Sequence, residues 1–279
     1  MKKIHLLQED KPVMSAYYQF IDKNTDAKGA VTATYSSTNY AQGAWNTHEQ
    51  HMAPASGIIT RELEAFQPRP AMRLGRISFD IFGLIPSGEF SITTRLIRPG
   101  KTIELIESEM QAEGKTCITA RAWRMSTQDS SEIAALEDPV IHHPDTLPSW
   151  DGISHWPGGY IKSLEAKVAE QHRPGKGIVW LNNAIAMVAN QPSSDFVHLI
   201  GMVDTANGTA PRQSDDIAWA FPNLDLQIHL HRYPSGRWLG LETVQQYGSD
   251  GIGLTSSILH DIYGPFGRGE QILTLRKLR

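Results

Sequence analysis

The chain has 279 residues, 40% of them hydrophobic and 20% charged, which suits one large folded domain or two smaller ones rather than a disordered or fibrous chain. With 26 Lys and Arg against 30 Asp and Glu the formal net charge is −4, so the charge balance gives no reason to expect nucleic acid as a partner. Cys117 is the only cysteine, which excludes an intrachain disulfide and a cysteine-based zinc site.

The start, MKKIHLLQEDKP, has too short an apolar run for a signal peptide, and no later stretch reaches transmembrane length. A cytoplasmic chain without a membrane partner is therefore expected. Ser15 to Asp22 is rich in aromatic and β-branched types and reads as a strand. Ala30 to Ser37 alternates Val31, Ala33 and Tyr35 on one face and reads as a second. A loop follows, punctuated by Pro54 and Gly57. Ile59, Leu63 and Phe66 then recur at helical spacing, and Pro68 and Pro70 stop the helix.

From there the period is two. Ile77, Phe79 and Ile81 share a face, as do Phe90, Ile92, Thr94 and Leu96. KTIELIESEM and KTCITARAWRM complete a set of four strands, with turns at Pro99-Gly100 and Glu113-Gly114. Cys117 lies in this alternation and reads as a small core residue. Asp138 to Gly159 is rich in Pro and His and reads as a linker or loop.

The plan then repeats. The turn GLIPSG at Gly83 to Gly88 returns as HRYPSG at His231 to Gly236, and Pro234 stands 148 residues after Pro86. Ser163 to Gln171 falls at the same offset from the first strand, and GIVWLNNAIAMV overlaps the shifted second strand. Phe196, Ile200 and Val203 are at helical spacing behind an N-cap at Ser194 or Asp195, with Gly208 as the stop. Leu224, Leu226, Ile228 and Leu230 alternate, and three further strands finish the set. Two sheets that each wrap a helix would leave open edges, and pairing those edges into one sheet removes them. A ligand site is expected where the two copies meet.

The ordered strands, with HEQHMAPASGIITRELE, RPGKTIEL, ARAWR, HLHR and GLTSSILHD, resemble the double-hotdog acyl-CoA thioesterases of type II. The resemblance spans about Ser15 to Leu278. It implies an α+β double hotdog fold: two tandem hotdog units, each an antiparallel sheet wrapped round a central helix, forming one continuous sheet. The expected boundaries are 1–137 for the N-terminal unit, 138–159 for the connector and 160–279 for the C-terminal unit. It also implies hydrolysis of an acyl-CoA to free acid and CoA, without a cofactor, and by analogy a homo-oligomer. In that family an Asp, a Thr and a Gln hold the attacking water. The Asp falls on Asp204 and the Gln on Gln271, while the Thr position holds Asn223, an amide without the hydroxyl.

A thioester carries a good leaving group, so a carboxylate, polar orienting groups and a backbone oxyanion donor suffice for its hydrolysis. No G-x-S-x-G elbow supplies a serine, and no P-loop or G-x-G-x-x-G supports nucleotide chemistry. Asp204, one residue after Val203 and so at the edge of the buried side of its helix, is the candidate base, with Asn223 and Gln271 orienting water. His48, His51, Ser56 and Gly57 are candidate substrate-binding residues. The amides of Met52 to Gly57 could form an oxyanion hole, except at Pro54, which has none. In HEQH the second His arrives one residue too early for the H-E-x-x-H zinc geometry, so no metal is expected. His229 and His231 read as solvated strand histidines. The basic turns Arg98 to Lys101 and Gly267 to Gly269 read as surface charge, with CoA phosphate binding as the alternative. Two rival functions stay open: an acyl-CoA or fatty-acid binding protein without turnover, favoured by Asn223, and an enoyl-acyl hydratase using Asp195 and His198.

Overall fold

A computed structural model describes residues 15–213 and 218–278. The first fourteen residues of the expected N-terminal unit lie outside the described residues. The first half comprises β1 (Ala16–Thr25), β2 (Val31–Ser37), α1 (Met52–Ala65), β3 (Met72–Ile81), β4 (Glu89–Arg98), β5 (Ile103–Ala112) and β6 (Lys115–Ser126). The second comprises α2 (Gly159–Lys162), β7 (Leu164–Val168), β8 (Lys176–Asn183), β9 (Ala186–Val188), α3 (Asp195–Val203), α4 (Ala206–Thr209), β10 (Trp219–Ala220) and β11 (Asp225–Leu230). It ends with β12 (Leu239–Tyr247), β13 (Ile252–Asp261), β14 (Gly264–Thr274) and β15 (Arg276–Lys277).

Thirteen strands form one sheet in the order β7-β8-β12-β13-β14-β11-β3-β6-β5-β4-β2-β1-β9, and β10 and β15 form a separate ribbon. The halves join at β11 and β3, which run antiparallel with Leu226 opposite Phe79 and Ile228 opposite Ile77. All four side chains are buried, so the junction is part of the core rather than a docked edge. The pairing of β9 with β1 is parallel, and it carries a strand of the second half to the far edge of the first.

The helix of each half lies against its own strands, α1 on β4 and β5 and α3 on β12, and the two helices pack together. They meet at glycines. A Cβ on Gly57 would stand 2.9 Å from Gly201 Cα and 2.3 Å from Met187 Cε. Only residues without a side chain permit backbones this close.

α1 begins at Met52, earlier than the spacing of Ile59, Leu63 and Phe66 indicates. Its N-cap is His51, whose Nδ1 accepts the Ala53 N–H at 3.0 Å. Pro54 stands in the first turn, where a missing N–H costs nothing. At the other end the Arg124 guanidinium donates to Phe66 O at 2.8 Å, closing the helix before Pro68. Ser194 caps α3 by accepting the Val197 N–H at 3.2 Å. Gly208 does not stop the second helix segment, because α4 runs through it to Thr209.

The Asp138 to Gly159 stretch is a fitted loop. It forms short 3-10 turns, buries Ile153 and brings Trp156 to Gly208, whose carbonyl accepts the indole N–H at 3.3 Å. Its end seats on the first half, where Tyr160 N–H donates to Gln42 O at 3.2 Å.

Candidate active site

Asp204 closes α3 as its C-cap and is 5% exposed. Two amides hold one of its carboxylate oxygens. Asn223 Nδ2 donates to Oδ1 at 2.8 Å and Gln271 Nε2 donates to the same atom at 2.9 Å. Gln271 comes from the buried face of β14, on which Gly269 and Leu273 are its neighbours. Asn223 lies alongside that strand, since Leu224 N–H donates to Ile272 O and Thr274 N–H to Pro222 O, both at 3.0 Å. The three residues expected to act together therefore meet, although 67 residues separate Asp204 from Gln271.

Their hydrogens go to protein oxygens. Asn223 Nδ2 also reaches Asp225 O at 3.0 Å, and Gln271 Nε2 also reaches Asp204 O at 3.2 Å. The amides thus orient the carboxylate, and only their carbonyl oxygens remain to accept from a water. This departs from the reading in which both amide groups hold water directly.

Asp204 Oδ2 faces His51 Nδ1 at 3.6 Å. This is too long for a hydrogen bond. Nδ1 already accepts from Ala53, so His51 is neutral with its hydrogen on Nε2. Burial lowers the His51 pKa to about 4, which keeps it neutral. The pair is therefore no ion pair, and Oδ2 keeps its lone pairs. Burial raises the Asp204 pKa to about 6, against the two amide hydrogen bonds that lower it. Such a carboxylate is ionised at neutral pH and basic enough to take a proton from water.

Asp204 opens onto a cavity of about 550 Å³ lined by both halves. The first half contributes Trp45, His51 and the Ile81–Ile85 segment. The second contributes Trp156, Phe221 and Asn223. Trp45, Trp156 and Phe221 pack edge to face or tilted, with ring centroids 5.5 to 6.4 Å apart. Glu49 Oε1 accepts the N–H groups of Trp45 and Asn46, both at 2.9 Å, and so fixes the loop that carries Trp45. Phe82 and Leu84 stand at the mouth, 62% and 50% exposed. The His51 ring packs on Tyr160 at 4.5 Å, and Tyr160 OH pairs with Thr205 Oγ1 at 2.6 Å. Tyr160 of α2 thereby ties the α1 cap to the residue beside Asp204.

The other expected substrate-binding residues lie elsewhere. His48 is exposed and off the cavity wall. Ser56 is fully buried, donating to Ala53 O at 2.7 Å and Ile200 O at 3.2 Å, and Gly57 is the helix crossing point. Both are packing residues, because the segment that carries them is the body of α1 rather than a loop. Of the amides expected as an oxyanion hole, Ala53 bonds His51 Nδ1 and Ala55 bonds His51 O. Met52 lies on the cavity wall as the first residue of α1, a position whose N–H has no acceptor within the helix. Of the basic turns, Arg98 lies over Trp123 and donates to Ile103 O, while Arg268 pairs with Asp138; neither lines the cavity. Asp195 and His198, the possible hydratase pair, are engaged with Gly236 N–H and Arg237 O and also lie off it. His229 and His231 are exposed as expected. Sequence reasoning missed Trp45, Trp156 and Phe221, whose only signal is their aromatic character in three separate loops.

The two halves are not equivalent here. Counted from the glycines at which the helices cross, Gly57 and Gly201, the position corresponding to Asp204 holds Thr60, which is buried and donates to Ser56 O at 2.7 Å. In the strand registers Ser78 lies opposite Arg121 as Gln227 lies opposite Glu270, so the position corresponding to Gln271 holds Ala122. The duplicated plan thus carries this carboxylate in one half. Among the described residues no group of three His, Cys, Asp or Glu could hold a metal ion, and no helix is long and apolar enough to cross a membrane.

Comparison with known proteins agrees with the duplicated fold. Residues 41–125 match the acyl-CoA thioesterase N-terminal domain, and residues 144–275 match the acyl-CoA thioesterase C-terminal domain. The chain belongs to the acyl-CoA thioesterase family and has its double hotdog fold. An acyl-CoA thioesterase II from Mycobacterium marinum is 14% identical, with a TM-score of 0.63 over 92% of this chain and 95% of that one. A protein from Alicyclobacillus acidocaldarius described as having a hot dog fold is 10% identical, with a TM-score of 0.70 over 92% of this chain and 97% of that one. At these identities the likeness concerns the fold. No curated protein matches by sequence.

Proposed function

We propose that the protein hydrolyses an acyl-CoA thioester to the free acid and CoA, using a water activated directly by Asp204. One observation carries this reading. A buried carboxylate with one oxygen fixed by two amides lines a cavity at the junction of the halves. The water gives a proton to Oδ2 as its oxygen bonds to the thioester carbon. The developing oxyanion faces Met52 N–H at the positive end of α1 and His51 Nε2–H. When the C–S bond breaks, the thiolate recovers the proton from Asp204, which restores the base. Asn223 and Gln271 hold the carboxylate in one orientation throughout.

A free-thiol assay across acyl-CoAs of increasing chain length tests this directly. The reading expects thiol release that falls at least ~100-fold in kcat in Asp204→Ala, the usual size of a general-base contribution. Hydration of an enoyl-CoA, or tight acyl-CoA binding without thiol release, would contradict it.

A further inference from the structure

We infer that Arg276 binds the diphosphate of the CoA moiety and so fixes the end of the cavity at which CoA enters; this rests on the thioesterase reading above. Among the described residues, Arg276 is the only lysine or arginine on the cavity wall, where the other ionisable groups are Glu49, His51 and Asp204. Neutral His51 leaves two carboxyl groups facing a substrate whose CoA part carries several negative charges. Without a cation at its mouth, such a cavity repels that substrate. A guanidinium meets a phosphate with two parallel hydrogen bonds, which gives orientation as well as attraction.

The ribbon that carries Arg276 is held in place. Arg276 lies opposite Ala220, and both residues line the cavity. Gln213 pairs with both backbone groups of Trp219, each at 2.8 Å, and Leu278 N–H donates to Ala218 O at 2.9 Å. Before the ribbon, Leu275 N–H donates to Gly251 O at 2.9 Å. A cation on a fixed strand loses less entropy on binding than one on a free loop.

The spacing also suits the substrate. Gln271, which touches Asp204, lies five residues before Arg276 on the same extended run. Five extended residues span at most roughly 17 Å. In CoA about thirteen bonds separate the sulfur from the nearer phosphorus, and at the same reach per bond they span roughly 15 Å. A thioester carbon beside Asp204 therefore leaves the diphosphate within side-chain reach of Arg276.

The test compares wild type, Arg276→Ala and Arg276→Glu on two substrates with the same acyl group, an acyl-CoA and the acyl-pantetheine that lacks phosphate. The expected result is a KM for acyl-CoA raised about tenfold or more in Arg276→Ala and further in Arg276→Glu, with kcat unchanged, from the loss of charge-assisted hydrogen bonds. The KM for acyl-pantetheine stays at its wild-type value in both variants. Calorimetry with CoA alone shows the same weakening. An unchanged KM for acyl-CoA, or an equal rise with acyl-pantetheine, overturns the assignment. If wild type releases no thiol, the thioesterase reading fails by itself. CoA calorimetry then decides for Arg276, and equal affinity in wild type and Arg276→Ala would overturn it.

Discussion

Replacing Asp204 by Asn separates what this residue does for catalysis from what it costs the fold. Asn keeps the shape, and its Oδ1 can accept both amide hydrogens. The folded-state pKa is raised from 3.8 to about 6, mainly by burial. The folded chain therefore holds this proton more tightly than the unfolded chain does. The stabilisation from that proton is complete below the unfolded pKa and is lost as pH rises through the folded one. A shift of about two pKa units at 1.36 kcal/mol each amounts to ~3 kcal/mol, lost between about pH 4 and pH 6. The Asn variant has no proton to lose. Urea denaturation of both proteins across this range should show the stability of Asp204→Asn relative to wild type rising by up to ~3 kcal/mol, then levelling off above about pH 7. The same variant should lose at least ~100-fold in kcat. A stability difference that does not change with pH, or a wild type that gains on the variant as pH rises, would refute the argument that Asp204 is ionised in the fold at a cost.

The remaining predictions concern the groups around that carboxylate. In wild type, kcat/KM should fall below about pH 6 as Asp204 takes up its proton. Gln271→Met keeps length but removes a donor to the carboxylate, so the acid limb of the pH–rate profile should move upward by about one pKa unit, the equivalent of one hydrogen bond to a charged group. Asn223→Thr restores a hydroxyl and should stay within about tenfold of wild-type kcat, while Asn223→Ala should lose about a hundredfold; equal rates in the two variants would show that no donor is needed at this position. Gly57→Ala should destabilise the fold by about 1–3 kcal/mol, read as a lowered denaturation midpoint, because its Cβ has no room against Gly201 and Met187. Unchanged stability would contradict the assignment of Gly57 to helix packing.

Much of the fold was legible because alternation reports a half-buried strand directly. Phe90, Ile92 and Thr94 are buried as their spacing indicates. Leu96, next on the same face, is 38% exposed, and a register shift between Leu96 and Arg98 marks where β4 leaves that pattern. The repeat at offset 148 was legible for the same reason, since it preserves the order and type of elements rather than residue identity. The Asp204, Asn223 and Gln271 trio came from resemblance to a family. Local pattern alone gives an Asp at a helix end, a turn Asn and a strand Gln. The start of α1 was not legible, because its cap is a histidine ring nitrogen rather than a Ser, Thr, Asp or Asn side chain. That error also placed Ser56 and Gly57 in a loop. The aromatic wall was out of reach for a different reason. Trp45, Trp156 and Phe221 converge only after the connector folds back onto the first half, and no local period records that step.

The central claim, direct attack of an Asp204-activated water on the thioester, is tested most directly by a single turnover in ¹⁸O-labelled water with enzyme in excess over acyl-CoA. The account predicts one heavy oxygen in the product acid on that first turnover and none in the side chain of residue 204, read by mass spectrometry of the acid and of the peptide. Unlabelled acid together with label in the Asp204 carboxylate would show that this oxygen attacks the substrate itself, and the water mechanism would be wrong.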